Sequence, residues 1–280
     1  MKNGFYVLIL ALGLLACQAQ PPLRPIAAKV SAGIVGGEKA DQEMLRSVLA
    51  VIDLTDDTIC SATLIAPHVA LTAAHCVADT KHDRVLQFGP DLNSESAFTI
   101  EIDQVITYPF YAAKEKRERG DLALIYFSAR LPDFFRPIVL AEFTDLSLVK
   151  KSMTLVGYGS SQYQVEDSKI LRMVTRSGSV VDATSTDFMI DITDGKGTCS
   201  GDSGGPLLVK KKDQLLLVGI DSAGVKFLDP KTGKVKKEYC TYRTLYTNAV
   251  PFRAWIQETL ETFPIAEASP KVEGESTKAP

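Results

Sequence analysis

The chain has 280 residues, of which 45% are hydrophobic and 23% are charged, an ordinary composition for a globular protein with a sizeable core. This composition excludes global disorder, and the length allows one large domain or two ordinary ones. The formal net charge of -3 gives no strong electrostatic field, so we expect no nucleic-acid partner bound through its phosphates.

Residues 1–16 have the pattern of a signal peptide. Lys2 precedes an almost entirely apolar run from Phe5 to Leu15, which is too short to span a bilayer. The run ends in Ala16 and Cys17 and resembles a bacterial lipobox, in which the cysteine is lipidated, whereas ordinary signal-peptidase cleavage is the alternative. Both interpretations predict export, either as a lipoprotein of the bacterial periplasm or outer membrane or as a secreted protein. A lipid on Cys17 is the one membrane contact that we expect.

The cysteine count also favours export. Apart from Cys17, the chain has an even set of four cysteines, namely Cys60, Cys76, Cys199 and Cys240. In an oxidising compartment such a set predicts two disulfides, although the count alone leaves several pairings open.

The middle of the chain predicts an all-β barrel or sandwich. Residues 17–33 are rich in Pro, Ala and Gln and lack an apolar period, which indicates a linker or propeptide. Short apolar, β-branched runs separated by turn residues follow. These runs are Ser47–Leu54, Phe98–Tyr108, Leu122–Phe127, Met153–Val156 and Leu207–Lys210. The pair Pro206–Val209 and Leu215–Ile220 flanks a charged turn and predicts a β-hairpin.

One helix and a tail are expected at the end of the chain. Phe252, Trp255, Ile256 and Leu260 recur at helical spacing, which predicts an amphipathic helix with Trp255 in the core. Residues 264–280 are charged, small and proline-containing, so we expect a disordered tail.

A cluster of small residues, Thr198 to Pro206, surrounds Ser203. Glycines beside a serine let a substrate backbone approach closely and let two backbone amides point at one oxygen. His75 follows a strand-like run and precedes Cys76. Asp121 opens an apolar strand, where a carboxylate is costly unless a donor such as an imidazole pairs with it.

The order His75, Asp121, Ser203 resembles that of the trypsin/chymotrypsin family of serine endopeptidases. The resemblance extends from Ile34 to about Leu260. It includes counterparts of the family's mature N-terminus, its Gly-aromatic-Gly segment and its substrate-binding strand, which are Ile34–Gly37, Gly157–Gly159 and Ile220–Gly224.

The resemblance implies an all-β fold of two six-stranded antiparallel β-barrels with a C-terminal α-helix, in a protease domain over residues 34–263. It implies a triad of His75 as general base, Asp121 as its orienting partner and Ser203 as nucleophile. The amides of Gly201 and Ser203 would form the oxyanion hole, without metal or cofactor. The implied disulfides are Cys60–Cys76 and Cys199–Cys240.

The substrate pocket is implied at Gly197, Thr198, Ser222, Gly224 and Thr244. Gly197 stands where trypsin has an acidic residue, so we expect no Lys/Arg preference. Ala223 stands where the family has a tryptophan, which argues against ordinary stacking of the substrate on this strand. A neutral pocket narrowed by Thr244 predicts small or medium apolar side chains. A one-residue register error would instead aim Arg243 into the pocket and favour acidic side chains. Lys226–Glu238 is an insertion beside the rim, either a specificity loop or a solvated hairpin.

The internal position of Ile34 implies a zymogen. A cut after Gly33 would free the Ile34 amine to pair with Asp202, the residue before the nucleophile. An activating protease is then an expected partner, beside protein or peptide substrates, and we expect a monomer. The rival interpretation is a non-catalytic binding protein with the same fold, and a milder one is an esterase.

Overall fold

Two sheets contain nearly all the regular structure of the chain. The computed structural model describes residues 34–111, 120–165 and 167–264, all of which belong to one compact unit. The predicted signal segment, linker and most of the predicted tail lie outside the described residues. In chain order the strands are β1 (Glu38–Lys39), β2 (Val48–Asp53), β3 (Thr58–Ala66), β4 (Val69–Thr72), β5 (Arg84–Phe88), β6 (Phe98–Glu101), β7 (Gln104–Thr107), β8 (Ala123–Tyr126), β9 (Val139–Leu140), β10 (Met153–Gly157), β11 (Arg172–Arg176), β12 (Val180–Ala183), β13 (Asp187–Asp191), β14 (Pro206–Lys211), β15 (Gln214–Val225), β16 (Phe227–Leu228), β17 (Val235–Lys237) and β18 (Arg243–Asn248).

The first sheet has seven strands in the order β6-β5-β2-β3-β4-β8-β7. Its two outer strands, β6 and β7, are separated in sequence only by Ile102 and Asp103. They are therefore two halves of one bent strand that closes the sheet into a barrel. Counted in this way, the sheet has the six strands that the sequence predicts, and the bent strand is the predicted run Phe98–Tyr108.

The second sheet has nine strands, of which eight follow the order β1-β11-β10-β14-β15-β18-β13-β12. β11 and β12 are again halves of one strand, interrupted at residues 177–179. The two-residue strands β1 and β9 are additions to the six expected strands, and β9 pairs with β15 in parallel. The predicted fold of two antiparallel barrels is confirmed, with these short strands as the difference.

Each barrel encloses its own apolar core. Fully buried members of the first core include Leu49, Leu71, Leu86 and Leu124, and those of the second include Leu155, Ile190, Leu207 and Val218. The continuous apolar run in β2 is explained by this burial, because all six of its residues are covered.

The predicted C-terminal helix is α2 (Arg253–Thr262), and the short helix α1 (Gln42–Leu45) precedes β2. Pro251 lies in a 3-10 turn, Val250–Phe252, that leads into α2. Trp255 is partly buried against the first core, with its ring 5.2 Å from that of Tyr108 in an edge contact. In the described part of the chain, neither helix has the length and apolarity to cross a membrane.

Candidate active site

His75 and Asp121 are brought together by the pairing of β4 with β8. Thr72 at the end of β4 faces Ala123 at the start of β8, so the residues just after one strand lie beside those just before the other. His75 Nδ1 is 2.7 Å from Asp121 Oδ2, and the His75 amide donates to Asp121 Oδ1 at 2.9 Å. One carboxylate therefore orients both the ring and the main chain of His75.

A third donor reaches the same carboxylate from the second barrel. The Ser222 hydroxyl on β15 donates to Asp121 Oδ2 at 2.7 Å. Asp121 is fully buried, whereas the His75 side chain is 31% exposed. Burying an ionised carboxylate is costly, and these three donors offset that cost. The arrangement leaves His75 as the member of the pair that solvent or a substrate can reach.

Ser203 lies in the loop before β14, packed against the first barrel. Its carbonyl oxygen accepts a hydrogen bond from the Ser61 amide at 2.7 Å and lies 3.7 Å from Cys76 Sγ, in the residue that follows His75. Gly204 has a φ of +81°, and a Cβ there would lie 2.1 Å from Thr72 Oγ1. This close approach to the end of β4 requires a glycine and holds the serine beside the His75 segment.

The predicted oxyanion-hole amides belong to the same loop. Among the described residues, neither the Gly201 amide nor the Ser203 amide donates a backbone hydrogen bond. Gly201 has a φ of +96°, and a Cβ there would come within 2.9 Å of Gly159 Cα. Both amides are therefore able to donate to another acceptor.

Both disulfides expected from the resemblance are present, and both lie at this site. Cys60–Cys76 adjoins His75, and Cys199–Cys240 joins the Ser203 loop to the segment before β18. Although His75 is close to the sulfurs of Cys60 and Cys76, disulfide sulfurs are not the thiolates that bind metals.

Ile34 and Asp202, the predicted activation pair, are both fully buried in the full-length chain. Asp202 Oδ1 accepts from the Gly159 amide and Oδ2 from the Cys199 amide, each at 2.8 Å. Burial raises the pKa of Asp202 well above its ordinary value, and these two amides only partly oppose the shift.

A pocket of about 210 Å³ opens beside Ser203. Its lining includes Thr198 and Gly224, both predicted from the sequence. Among the described residues, the lining consists of Thr198, Cys199, Ser200, Ser203, Asp221, Gly224, Tyr239 and Cys240. The other three predicted pocket residues have different contacts. Gly197 pairs with Val35, and Ile192 fills the space that its side chain would need. Ser222 binds Asp121, and Thr244 is buried behind the lining.

Asp221 is the carboxylate of the pocket lining, and the sequence interpretation missed it. It lies in the predicted substrate strand, and a carboxylate that follows the apolar run Leu215–Ile220 was the available signal. Thr244 Oγ1 donates to Asp221 Oδ1 at 2.9 Å. Burial raises the pKa of Asp221 to about 6, and the hydroxyls of Thr244 and Thr198 partly oppose that shift. The expected neutral pocket thus has a carboxylate in its wall.

The strand register settles the position of Arg243. Gly224 faces Thr244, and Arg243 faces Val225 one position further along β15. The Arg243 guanidinium lies 4.7 Å from the centre of the Tyr242 ring, with Nη1 3.6 Å from Met189 Sδ. The cation that would favour acidic substrates is accordingly bound outside the pocket lining.

The segment Lys226–Glu238 forms a hairpin of β16 and β17. Lys226 Nζ pairs with Glu238 Oε2 at 3.0 Å and lies 4.4 Å above the Tyr239 ring, which lines the pocket. The base of the hairpin therefore supports the rim.

Comparison with known proteins agrees with the resemblance that the sequence suggested. The Trypsin family model matches residues 34–256. "Serine protease 28" of Mus musculus is 28% identical over 257 residues, covering 79% of this chain and 90% of that protein. "Phenoloxidase-activating enzyme" of Bombyx mori is 27% identical over 248 residues, covering 72% of this chain and 54% of that protein, so the chain spans about half of its length. Both relatives are animal proteins and do not support the bacterial leader expected at residues 1–16.

Proposed function

The chain belongs to the trypsin family of serine proteases, and we propose that it is a serine endopeptidase with His75, Asp121 and Ser203 as its triad. The observation that carries the proposal is the pairing of a partly exposed imidazole with a buried carboxylate at 2.7 Å. The glycine-rich loop of Ser203 packs against the disulfide that adjoins the same histidine.

The proposed reaction begins when Ser203 Oγ attacks the carbonyl carbon of the scissile peptide bond. Because Asp121 Oδ2 contacts Nδ1, the proton of the neutral ring sits on that nitrogen, and Nε2 accepts the proton of Ser203. The same proton then passes from Nε2 to the leaving amine. Water attacks the resulting acyl-enzyme and loses a proton to Nε2, which returns it to Ser203.

Charge that develops on the carbonyl oxygen needs donors during this sequence. We assign that role to the amides of Gly201 and Ser203, which donate no backbone hydrogen bond among the described residues. Loss of one such donor typically costs about 2.7–4 kcal/mol of transition-state stabilisation.

Proteolytic activation belongs to the same proposal. Cleavage after Gly33 would create an ammonium group on Ile34 and give buried Asp202 a partner of opposite charge. An activating protease is then needed unless the chain cleaves itself. The two disulfides also favour export to an oxidising compartment, with the leader at 1–16, the linker at 17–33 and the lipid on Cys17 remaining predictions.

Labelling with a fluorophosphonate probe tests the proposal. The chain starting at Ile34 should be labelled on Ser203, and Ser203→Ala should remain folded and unlabelled. A non-catalytic binding protein would show no labelling in either form, which would refute the proposal. Peptide and ester substrates tested side by side separate an endopeptidase from an esterase, since the former must turn over both.

A further inference from the structure

The pocket beside Ser203 contains a charge that the residues around it do not balance. Of the eight described residues that line it, Asp221 is the one that carries a carboxylate, and none of the eight is a lysine or arginine. Among the described residues no lysine or arginine forms an ion pair with Asp221 either. His75 acts on it through space and is charged only when protonated.

The main chain fixes this carboxylate beside the nucleophile loop. The Asp221 amide donates to the Gly205 carbonyl at 2.8 Å, and the Gly204 amide donates to the Asp221 carbonyl at 2.7 Å. The pairing of β15 with β18 is irregular between Asp221 and Ala223. Asp221 thus directs its side chain to the cavity from a strand, and not from the loop before Cys199.

Hydroxyl groups bind the Asp221 carboxylate but do not neutralise its charge. Thr198 Oγ1 donates to Thr244 Oγ1 at 2.8 Å, and Thr244 Oγ1 in turn donates to Asp221 Oδ1 at 2.9 Å. This relay orients the carboxylate but brings no positive charge. With a pKa of about 6, the group is mainly ionised at neutral pH and carries a desolvation cost. Asp121, whose charge acts on it as well, adds to that cost.

Two cations on segments that adjoin the pocket already have their own partners. Lys226 pairs with Glu238 at 3.0 Å, and Arg243 lies against Tyr242. An apolar side chain that entered the pocket would remove more water from Asp221 without replacing it, and an acidic one would be repelled. A cationic side chain would instead provide the missing partner of opposite charge.

We infer that Asp221 is the specificity-determining residue of this pocket and that it selects peptides with lysine or arginine immediately before the cleaved bond. The inference rests on the proposed protease function. It replaces the expectation of a preference for small apolar side chains, which followed from the glycine at position 197.

Matched peptides test the inference on the chain that starts at Ile34. Two peptides differ only in arginine or citrulline before the cut, so that they have nearly the same shape and differ in charge. For the native chain we expect kcat/KM to be at least about 30-fold higher for the arginine peptide than for the citrulline peptide. This ratio corresponds to the lower limit of the cost of losing one partner of a buried charge pair. Asp221→Asn keeps the acceptor for Thr244 and should bring the ratio close to one, whereas Asp213→Asn, at the exposed tip of the β14–β15 hairpin, should keep it.

The ratio of two substrates does not depend on how much of a variant is folded, and the native chain alone provides a test if Asp221→Asn fails to fold. Equal cleavage of the two peptides by the native chain, or preferential cleavage after Ala, Val or Leu, would overturn the inference. If Ser203 were still labelled by the fluorophosphonate in that case, the protease function would stand. Absence of labelling in the native chain would overturn the function, and this inference with it.

Discussion

Asp121 binds His75 twice, through the ring nitrogen Nδ1 at 2.7 Å and through the backbone amide at 2.9 Å. The second contact fixes the turn after β4 on which the ring is carried. Because Ser222 binds the same carboxylate from β15, the position of the histidine depends on both barrels. A substitution at Asp121 can therefore disturb both the ring orientation and the backbone turn, and a test of the first must preserve the shape of the side chain.

Replacement of Asp121 by asparagine should reduce kcat by about 10⁴-fold, because an amide in this position favours the wrong tautomer of His75. The near-identical shape of asparagine should preserve the fold. Steady-state kinetics on a peptide substrate, with circular dichroism to check folding, measures the effect. Asp133→Asn, on a side chain that is 92% exposed, is the matched control and should keep native turnover. A kcat within tenfold of the native value for Asp121→Asn would refute the assigned role.

Removal of each disulfide should destabilise the chain to a different degree. Cys60–Cys76 closes a separation of 16 residues and Cys199–Cys240 one of 41. In the chain-entropy model, losing them costs about 3 and about 4 kcal/mol respectively. Denaturant unfolding of the two double-alanine variants measures both losses. We expect the second variant also to bind substrate more weakly, because Cys199 and Cys240 line the pocket. An unchanged unfolding midpoint in either variant would contradict the prediction.

Activation should depend on a free amino group at Ile34. A chain beginning at Ile34 is expected to be active, and one that retains Gly33 to be much less so, since its Ile34 has no ammonium to pair with Asp202. Turnover of both chains is compared, with mass spectrometry of the N-termini after the assay. Asp202→Asn should abolish the advantage of the shorter chain. Equal activity of two intact chains would exclude the switch.

The pair of partly exposed His82 and buried Asp53 should make stability depend on pH. Their contact of 2.8 Å raises the pKa of His82 above 6.5, whereas the pKa of Asp53 is lowered below 3.8 even though burial opposes the shift. Asp56, Asp79 and Arg84 are the charged groups around the pair.

Because the pKa of His82 is raised in the folded chain, the histidine stabilises the fold below pH 6.5. This contribution is lost as pH rises through the pKa that His82 has in the folded chain. A lowered aspartate pKa stabilises it above pH 3.8 and is lost as pH falls. The native chain should therefore exceed His82→Gln in stability most clearly between pH 3.8 and 6.5. Thermal unfolding at pH 5 and pH 9 measures this, and a difference that did not shrink at pH 9 would contradict it.

Some strand positions were predictable, such as those of β10 and β14, because these strands are short apolar runs bounded by turn residues. The bend at Ile102 and Asp103 was not predictable, because the run Phe98–Tyr108 has the same pattern along its whole length. The bend arises from closure of the barrel, which divides this run into β6 and β7. The three residues of the proposed triad were identified from their local sequence. The proposed role of Asp221 was hidden because it depends on a strand irregularity and on the hydroxyl of Thr244, which is distant in sequence.

The most direct test of the account is detection of an acyl-enzyme on Ser203. With an ester substrate that deacylates slowly, the chain starting at Ile34 should release a rapid, stoichiometric burst of leaving group. Mass spectrometry should then find the acyl group on the peptide that contains Ser203, and Ser203→Ala should give neither signal. Absence of the burst and the adduct in the folded native chain, or their persistence in Ser203→Ala, would contradict the proposed mechanism.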